Sequence, residues 1–180
     1  MTPADRDNKS AVDRRTEGML FPRVGPALVA AIVAGLVFAM MEMILVAVVM
    51  GQPWYGPLHM IAAIGMGPRV LPPPPAFDIG VAMVAISIHM LLSVVYAFIL
   101  ATILLALRSS MAWWVGLLFG IALYYINFYG FTAMFPWFAE GRGWIGFVSH
   151  AVYGLVLALV YRGMDKREPI RVTGARPPAQ

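Results

Sequence analysis

Four long apolar stretches dominate the hydrophobic pattern of the chain, and polar segments separate them. They predict helices over about residues 27–50, 79–107, 111–131 and 144–162. Each is close to or above the ~20 residues that a helix needs to cross a bilayer. A further apolar stretch, Pro57 to Met66, is too short to cross and predicts a helix lying in the membrane surface. We therefore expect an all-α membrane protein with four transmembrane helices in a bundle.

The composition agrees with this fold class. Of the 180 residues, 61% are hydrophobic and only 12% are charged, whereas soluble domains carry about a quarter charged residues. The net charge of +4 does not indicate nucleic-acid binding, because the basic residues lie mainly at the two ends of the chain. Since the chain has no cysteine, disulfides and thiolate metal sites are excluded. The lipid bilayer is the first partner that this composition predicts.

The polar segments divide the chain into two tails, a membrane domain and two long loops. Residues 1–23 predict a disordered tail, residues 24–164 the transmembrane domain, and residues 165–180 a basic tail. The long loops cover residues 51–78 and 132–143. The first of them contains the proline run 72–75, which predicts extended chain, and ends at Asp78, a candidate N-cap for the second transmembrane helix.

The distribution of positive charge predicts the orientation. With four spans, both tails and the short turn at Arg108 share one side of the membrane. That side carries all of the 13 Lys and Arg residues except Arg69 and Arg142. Because loops rich in Lys and Arg stay on the cytoplasmic side, we expect both termini in the cytoplasm and both long loops outside.

Polar side chains interrupt every predicted span. Glu42 lies inside the first apolar stretch, where a carboxylate costs several kcal/mol unless it is paired or protonated. The helical rise places Glu42 ~12 Å, His89 ~15 Å and His150 ~9 Å from the outer ends of their helices. Tyr124 and Asn127 fall in the outer half of the third helix, and Ser93 follows His89 by one turn. We call these six residues, Glu42, His89, Ser93, Tyr124, Asn127 and His150, the polar cluster, and expect the two histidines to be the partners of Glu42.

Small residues spaced three or four apart predict the faces along which the helices meet. The third helix carries Gly116 and Gly120, and the fourth carries Gly146, Gly154 and Ala158. Such spacing lets membrane helices approach closely. Because each polar residue lies beside a small one, we expect the polar cluster to point into the bundle.

The chemistry of the polar cluster allows four interpretations. It could move protons, an ion or a small solute; it could bind a metal through Glu42, His89 and His150; it could ligate haem b through the two histidines; or it could be a hydrogen-bonded network that only fixes helix packing. Hydrolase, nucleotide-binding and dinucleotide-binding motifs do not occur, so no catalytic residue is assigned. Four short helices leave little room for a private pathway, which favours a homo-oligomer or a larger membrane-protein partner. An accessory or scaffold subunit of such a complex is therefore the competing class of function.

Short motifs in the second half carry a resemblance. They are His89-x-x-x-Ser93 followed by Tyr96, the stretch Gly116 to Gly120, Ala133-Met134-Phe135-Pro136, and Ser149 to Gly154. Over roughly residues 85–162 the chain resembles the YagU-like group of small bacterial inner-membrane proteins. The resemblance implies a location in the bacterial inner membrane and brings no activity with it.

Overall fold

A computed structural model describes residues 21–71, 76–107 and 109–166. Most of the predicted N-terminal tail, the proline run 72–75, Arg108 and the basic tail from residue 167 onward lie outside the described residues. The predictions that concern these segments therefore stay predictions.

Five α-helices build the described part of the chain, which contains no strand. They are α1 (Val24–Met50), α2 (Gly56–Met66), α3 (Ile79–Leu105), α4 (Ala112–Tyr125) and α5 (Trp144–Met164). The helix α4 continues as a π-helical turn over Ile126–Gly130 and a 3-10 turn over Phe131–Ala133. Four segments are long and apolar enough to cross a membrane: Val24–Met50, Ile79–Leu105, Ala112–Ala133 and Trp144–Met164. The predicted class, an all-α protein with four membrane-spanning helices, is confirmed.

The four long helices pack so that α1 lies against both α3 and α5, and α4 lies mainly against α5. The helix α1 can approach its neighbours closely because it turns small residues inward. Ala27, Ala30, Ala31 and Ala34 are all fully buried. Below, the end of the bundle near Val24 and Met164 is called the terminal end, and the end that carries residues 51–55, 76–78 and 134–143 is called the loop end.

The contact between α4 and α5 is a direct approach of two backbones. A side chain at Gly116 would place its Cβ 2.5 Å from both Gly154 O and Ala158 Cβ. A Cβ at Gly120 would collide with the carbonyl oxygen of His150. The contact face predicted from the spacing of Gly116 and Gly120 is thereby confirmed, and it brings His150 close to α4.

The short helix α2 follows α3 instead of lying across the ends of the bundle. At the start of α2, the Tyr55 ring lies 6.1 Å from the ring of Phe77. Near its end, a Cβ at Gly65 would lie 3.2 Å from Ile88 Cδ1. These two contacts reach α3 just before its first turn and again in its third turn. A helix of eleven residues can make both contacts only if the two helices run side by side. The expected surface helix is thus replaced by one that descends alongside α3. The chain then turns back, and His59 Nδ1 donates to Val70 O at 2.6 Å.

Side chains cap both ends of α3. At its start, Asp78 Oδ1 accepts from the Val81 N–H at 3.0 Å, which confirms the predicted N-cap. At its end, Arg162 of α5 donates to Leu104 O and Leu107 O at 2.5 and 2.6 Å. A cation suits the carbonyl end of a helix, since the helix dipole is negative there. The bond ties α5 to α3 at the terminal end.

Candidate functional site within the membrane bundle

A chain of hydrogen bonds links α3, the π-helical turn and α5. The Tyr96 hydroxyl donates to Asn127 Oδ1 at 2.9 Å. The other end of the same amide, Nδ2, lies 3.1 Å from His150 Nε2. The second nitrogen of His150, Nδ1, lies 2.7 Å from Gly146 O, one turn earlier in α5. Asn127 therefore bridges two helices that meet only weakly elsewhere.

These contacts assign the proton on His150. Since a carbonyl oxygen only accepts, Nδ1 carries the hydrogen that is given to Gly146 O. In the neutral ring Nε2 is then an acceptor, which matches the N–H that Asn127 presents. Every polar atom of the His150 ring is satisfied while the ring is uncharged. The side chain is 4% exposed, so the ring acts as a buried and fully bonded link.

The π-helical turn Ile126–Gly130 positions Asn127. A π-turn inserts an extra residue into a helix, and such turns recur at functional sites. Its carbonyl end is held by Arg142, whose Nε donates to Phe128 O at 2.8 Å and whose guanidinium lies 4.3 Å from the centre of the Tyr129 ring. Tyr124, one turn before Asn127, does not join the chain of hydrogen bonds; its hydroxyl accepts from the Gly143 N–H at 3.1 Å.

A second group of bonds fastens α3 and α5 to α1. Ser93 Oγ donates to Ala31 O at 2.8 Å and lies 3.0 Å from the Tyr153 hydroxyl, which in turn donates to Ser93 O at 3.3 Å. His89 Nε2 donates to Gly35 O at 2.9 Å. A serine, a tyrosine and a histidine thus bind carbonyl or hydroxyl oxygens of neighbouring helices, which is how polar groups stabilise membrane bundles.

Glu42 lies next to Ser149 of α5, not next to a histidine. The two side chains do not reach hydrogen-bonding geometry, since Glu42 Oε1 and Ser149 Oγ are both buried without a hydrogen-bond partner. Ser149 is fully buried. Glu42 forms no hydrogen bond with His89 or His150, so the expected pairing is wrong. His89 Nε2 donates to a backbone carbonyl of α1, and His150 uses both of its ring nitrogens. Burying a polar atom without a hydrogen bond is energetically costly, so two such atoms next to each other call for a physical explanation.

The side chains of the polar cluster do not provide the ligands that a metal ion or a haem iron needs. Among the described residues, no three His, Asp or Glu side chains form a group that could hold a metal ion. A bis-histidine haem needs a free nitrogen on each imidazole, but His150 uses both of its ring nitrogens. In addition, the Phe38 ring contacts both imidazoles, at centroid distances of 5.4 Å from His89 and 4.7 Å from His150.

The structure therefore divides the polar cluster. His89, Ser93, Asn127 and His150 are held in hydrogen bonds between helices, Tyr124 binds the start of α5, and Glu42 has no hydrogen bond. Sequence reasoning did not assign Tyr96, Ser149 or Tyr153 to it. Tyr96 and Tyr153 each lie three residues after a predicted member, a spacing that puts them on the same helix face. Ser149 offered no such signal, because its role depends on how α1 meets α5.

Comparison of the chain with protein-family models, with curated proteins and with solved structures gives no match in any of the three.

Proposed function

We propose that this integral membrane protein takes up and releases a proton at Glu42, and that this step is part of the movement of protons or a small solute. The observation that carries the proposal is the pair of unsatisfied atoms, Glu42 Oε1 and Ser149 Oγ, buried beside each other between α1 and α5. One proton added to Glu42 supplies an O–H donor that Ser149 Oγ can accept. Protonation also removes the charge that makes a buried carboxylate costly, and a small rotation of the two side chains would bring the new O–H to Ser149 Oγ.

A proton fits this site better than a metal cation. Hard cations such as Mg²⁺ and Ca²⁺ take about six or more oxygen ligands, and the site offers two side chains. The fully bonded part of the polar cluster supports the same proposal in another way. These bonds join α3 to α1 and to α5, and so help to fix the positions of the two helices that carry Glu42 and Ser149. Glu42 then changes its protonation inside a rigid frame.

The proposal includes an orientation and a location. The loop end faces outward and both termini face the cytoplasm, which the concentration of Lys and Arg in the tails supports. The location is the bacterial inner membrane, supported by the resemblance in the second half of the chain.

The experiment compares Glu42→Gln with Glu140→Gln in purified protein reconstituted in lipid. Glu140 is exposed in a loop, so it is a matched control for losing one carboxylate. Infrared difference spectra recorded across pH report the carbonyl stretch of a protonated carboxyl group. The chain has nine Asp and Glu residues, so the Glu42 band is identified as the one that is present in the wild type and in Glu140→Gln and absent from Glu42→Gln. Proton flux into vesicles, followed with a pH-sensitive dye, should be lost in the same variant.

Two results contradict the proposal. One is a set of pH-dependent carboxyl bands that Glu42→Gln leaves unchanged, and the other is proton flux that is equal in all three proteins. Glutamine has nearly the shape of glutamic acid and can donate to Ser149, so the variant should keep the helix content and melting temperature of the wild type. A variant that only melts earlier, with the pH-dependent band intact in the folded fraction, also counts against proton uptake.

An accessory or scaffold subunit is the second candidate, and the bonded network favours it. Four of the six cluster residues hold helices together, which is what a subunit that packs against a larger membrane complex or its own copies requires. The mass of the protein in detergent, measured by light scattering for wild type and Glu42→Gln, distinguishes the two functions. Loss of an oligomer on substitution, without loss of a pH response, supports the accessory role.

A further inference from the structure

Arg142 lies at the loop end of the bundle, between the third and fourth membrane-spanning segments. It is bonded to Phe128 O and to Thr132 Oγ1, which belong to the last turns of the span Ala112–Ala133. That span has 22 residues, close to the ~20 that cross the hydrocarbon core of a bilayer. The guanidinium of Arg142 is therefore placed where the hydrocarbon core meets the lipid headgroups.

Exposed aromatic side chains mark the same level of the bundle. Tyr129, in the π-helical turn, is 49% exposed, and Trp144, the first residue of α5, is 58% exposed. Tyrosine and tryptophan are enriched where a bilayer meets water, because their amphipathic rings suit the headgroup level. The end of the third span and the start of the fourth therefore both carry side chains that are typical of the headgroup level.

Three contacts hold the guanidinium of Arg142 in one place. Its Nε donates to Phe128 O at 2.8 Å, its Nη2 donates to Thr132 Oγ1 at 3.3 Å, and its central carbon lies 4.3 Å from the centre of the Tyr129 ring. A long side chain normally loses rotamer freedom when it binds a ligand, which weakens binding. Because these contacts already fix Arg142, a ligand that binds to it has little further side-chain entropy to remove.

Most of the hydrogen-bonding capacity of Arg142 is left over. An arginine carries five N–H donors, one on Nε and two on each terminal nitrogen. Phe128 O takes the first and Thr132 Oγ1 takes one from Nη2. Within residues 21–71, 76–107 and 109–166, no carboxylate is bonded to Arg142. Since the residue is exposed, Nη1 and Nη2 present a positive charge and adjacent N–H donors to the surroundings.

We infer that Arg142 binds the phosphate group of an anionic phospholipid through Nη1 and Nη2. Two N–H donors side by side match two oxygens of a phosphate group, and arginine binds phosphate in this bidentate way. A phospholipid carries its phosphate at the level where the guanidinium lies. A net negative headgroup suits the site best, because no carboxylate of the described residues neutralises Arg142. The inference is independent of proton uptake at Glu42.

The experiment titrates the full chain in detergent with phosphatidylglycerol and counts the bound lipids by native mass spectrometry. Arg142→Gln removes the charge and the paired donors, and Arg142→Lys keeps only the charge. Arg69→Gln is the matched control for losing one positive charge. Arg69 is exposed in the 3-10 turn Pro68–Val70, and its side chain is not hydrogen-bonded to any described residue.

We expect the wild type to bind its first phosphatidylglycerol about fivefold more tightly than Arg142→Gln, since one arginine near a membrane surface contributes about that factor. Arg142→Lys should also bind less tightly than the wild type, and Arg69→Gln should match the wild type. Equal affinity of the wild type and Arg142→Gln overturns the inference. An equal loss in Arg69→Gln does so as well, because charge alone would then explain the binding, and so does full affinity in Arg142→Lys.

Two further titrations identify the source of the phosphate group. Zwitterionic phosphatidylcholine should bind to the wild type less tightly than phosphatidylglycerol, and Arg142→Gln should remove most of this difference. Inorganic phosphate in excess should not displace phosphatidylglycerol, because the lipid is also held by its acyl chains. Displacement by inorganic phosphate, or equal binding of the two lipids, overturns the assignment to an anionic phospholipid.

A last measurement needs no variant, which matters because Arg142 also holds the π-helical turn. Phenylglyoxal, an uncharged reagent, modifies exposed guanidinium groups, and peptide mass spectrometry locates the adducts. In wild-type protein in nanodiscs, the rate at Arg142 relative to Arg69 should be about fivefold lower in phosphatidylglycerol than in phosphatidylcholine. An equal ratio in the two lipids overturns the inference even if Arg142→Gln does not fold.

Discussion

Gly154→Ala should destabilise the bundle more than its small change in volume suggests. A Cβ at Gly154 would lie 2.6 Å from Gly120 N and 2.7 Å from Gly120 Cα, and it would collide with Gly116 O. Carbon atoms in good contact lie about 3.5–4.0 Å apart. The α4 and α5 backbones must therefore separate by roughly 1 Å, since none of these three atoms belongs to a flexible side chain.

The cost of that separation has two parts. Overpacking a well-packed contact costs about 1–3 kcal/mol. Separation of α4 from α5 also stretches the 3.1 Å contact between Asn127 and His150 beyond hydrogen-bonding distance, and such bonds in membrane proteins contribute about 0.6 kcal/mol on average. Alanine has a helix propensity up to about 1 kcal/mol better than glycine, which offsets part of this cost. We therefore expect a net loss of roughly 1–3 kcal/mol in the free energy of unfolding.

The assay is reversible unfolding by a denaturing detergent, with Gly163→Ala as the control. Gly163 lies in the same helix and has no atom within 4 Å of a Cβ placed on it. Alanine has a helix propensity up to about 1 kcal/mol better than glycine, so Gly163→Ala should be neutral or slightly stabilising. Two variants of equal stability would refute the argument that backbone contact between α4 and α5 holds this bundle together.

Two further predictions concern the hydrogen bonds between helices. The first is a double-mutant cycle of Tyr96→Phe and Asn127→Leu in unfolding experiments. The coupling energy should be about 0.6–1.7 kcal/mol, because the Tyr96 hydroxyl donates to the Asn127 amide. A coupling energy near zero would contradict the role of Asn127 in joining α3 to α5. The second is that Arg162→Met should lower the free energy of unfolding by about 1.5–3 kcal/mol, since it removes a charged donor from Leu104 O and Leu107 O. Hydrogen–deuterium exchange should then become faster in the last turn of α3 and stay unchanged in its first turn.

The polar residues show why the candidate site was only partly predictable. The helical rise placed Glu42, His89 and His150 in the same half of the membrane, but it could not say which side chains face each other. A shift of one residue rotates a position by about 100° around the helix axis, which is enough to exchange a histidine neighbour for Ser149. The π-helical turn was unpredictable for a second reason. The extra residue that turns Asn127 toward His150 does not change the hydrophobic pattern of the sequence.

The short segments outside the spans show the same limit. The apolar stretch 57–66 predicted a helix, and α2 occupies Gly56–Met66, but its direction beside α3 depends on contacts with Val81 and Ala85 that are distant in sequence. The bond between Trp137 and Met60 joins two loops that no local pattern connects.

By itself, the sequence determined the four spans, the all-α class, the N-cap at Asp78 and the glycine face between α4 and α5. These depend on local quantities: the length of an apolar stretch relative to the bilayer, the need to satisfy every backbone group within a helix, and the spacing of small residues. Only the tertiary structure decided that Glu42 meets Ser149 and that the histidines are bonded elsewhere. The physical reason is that the rotation and offset of one helix against another come from the packing of all their side chains together, and a single residue changes both.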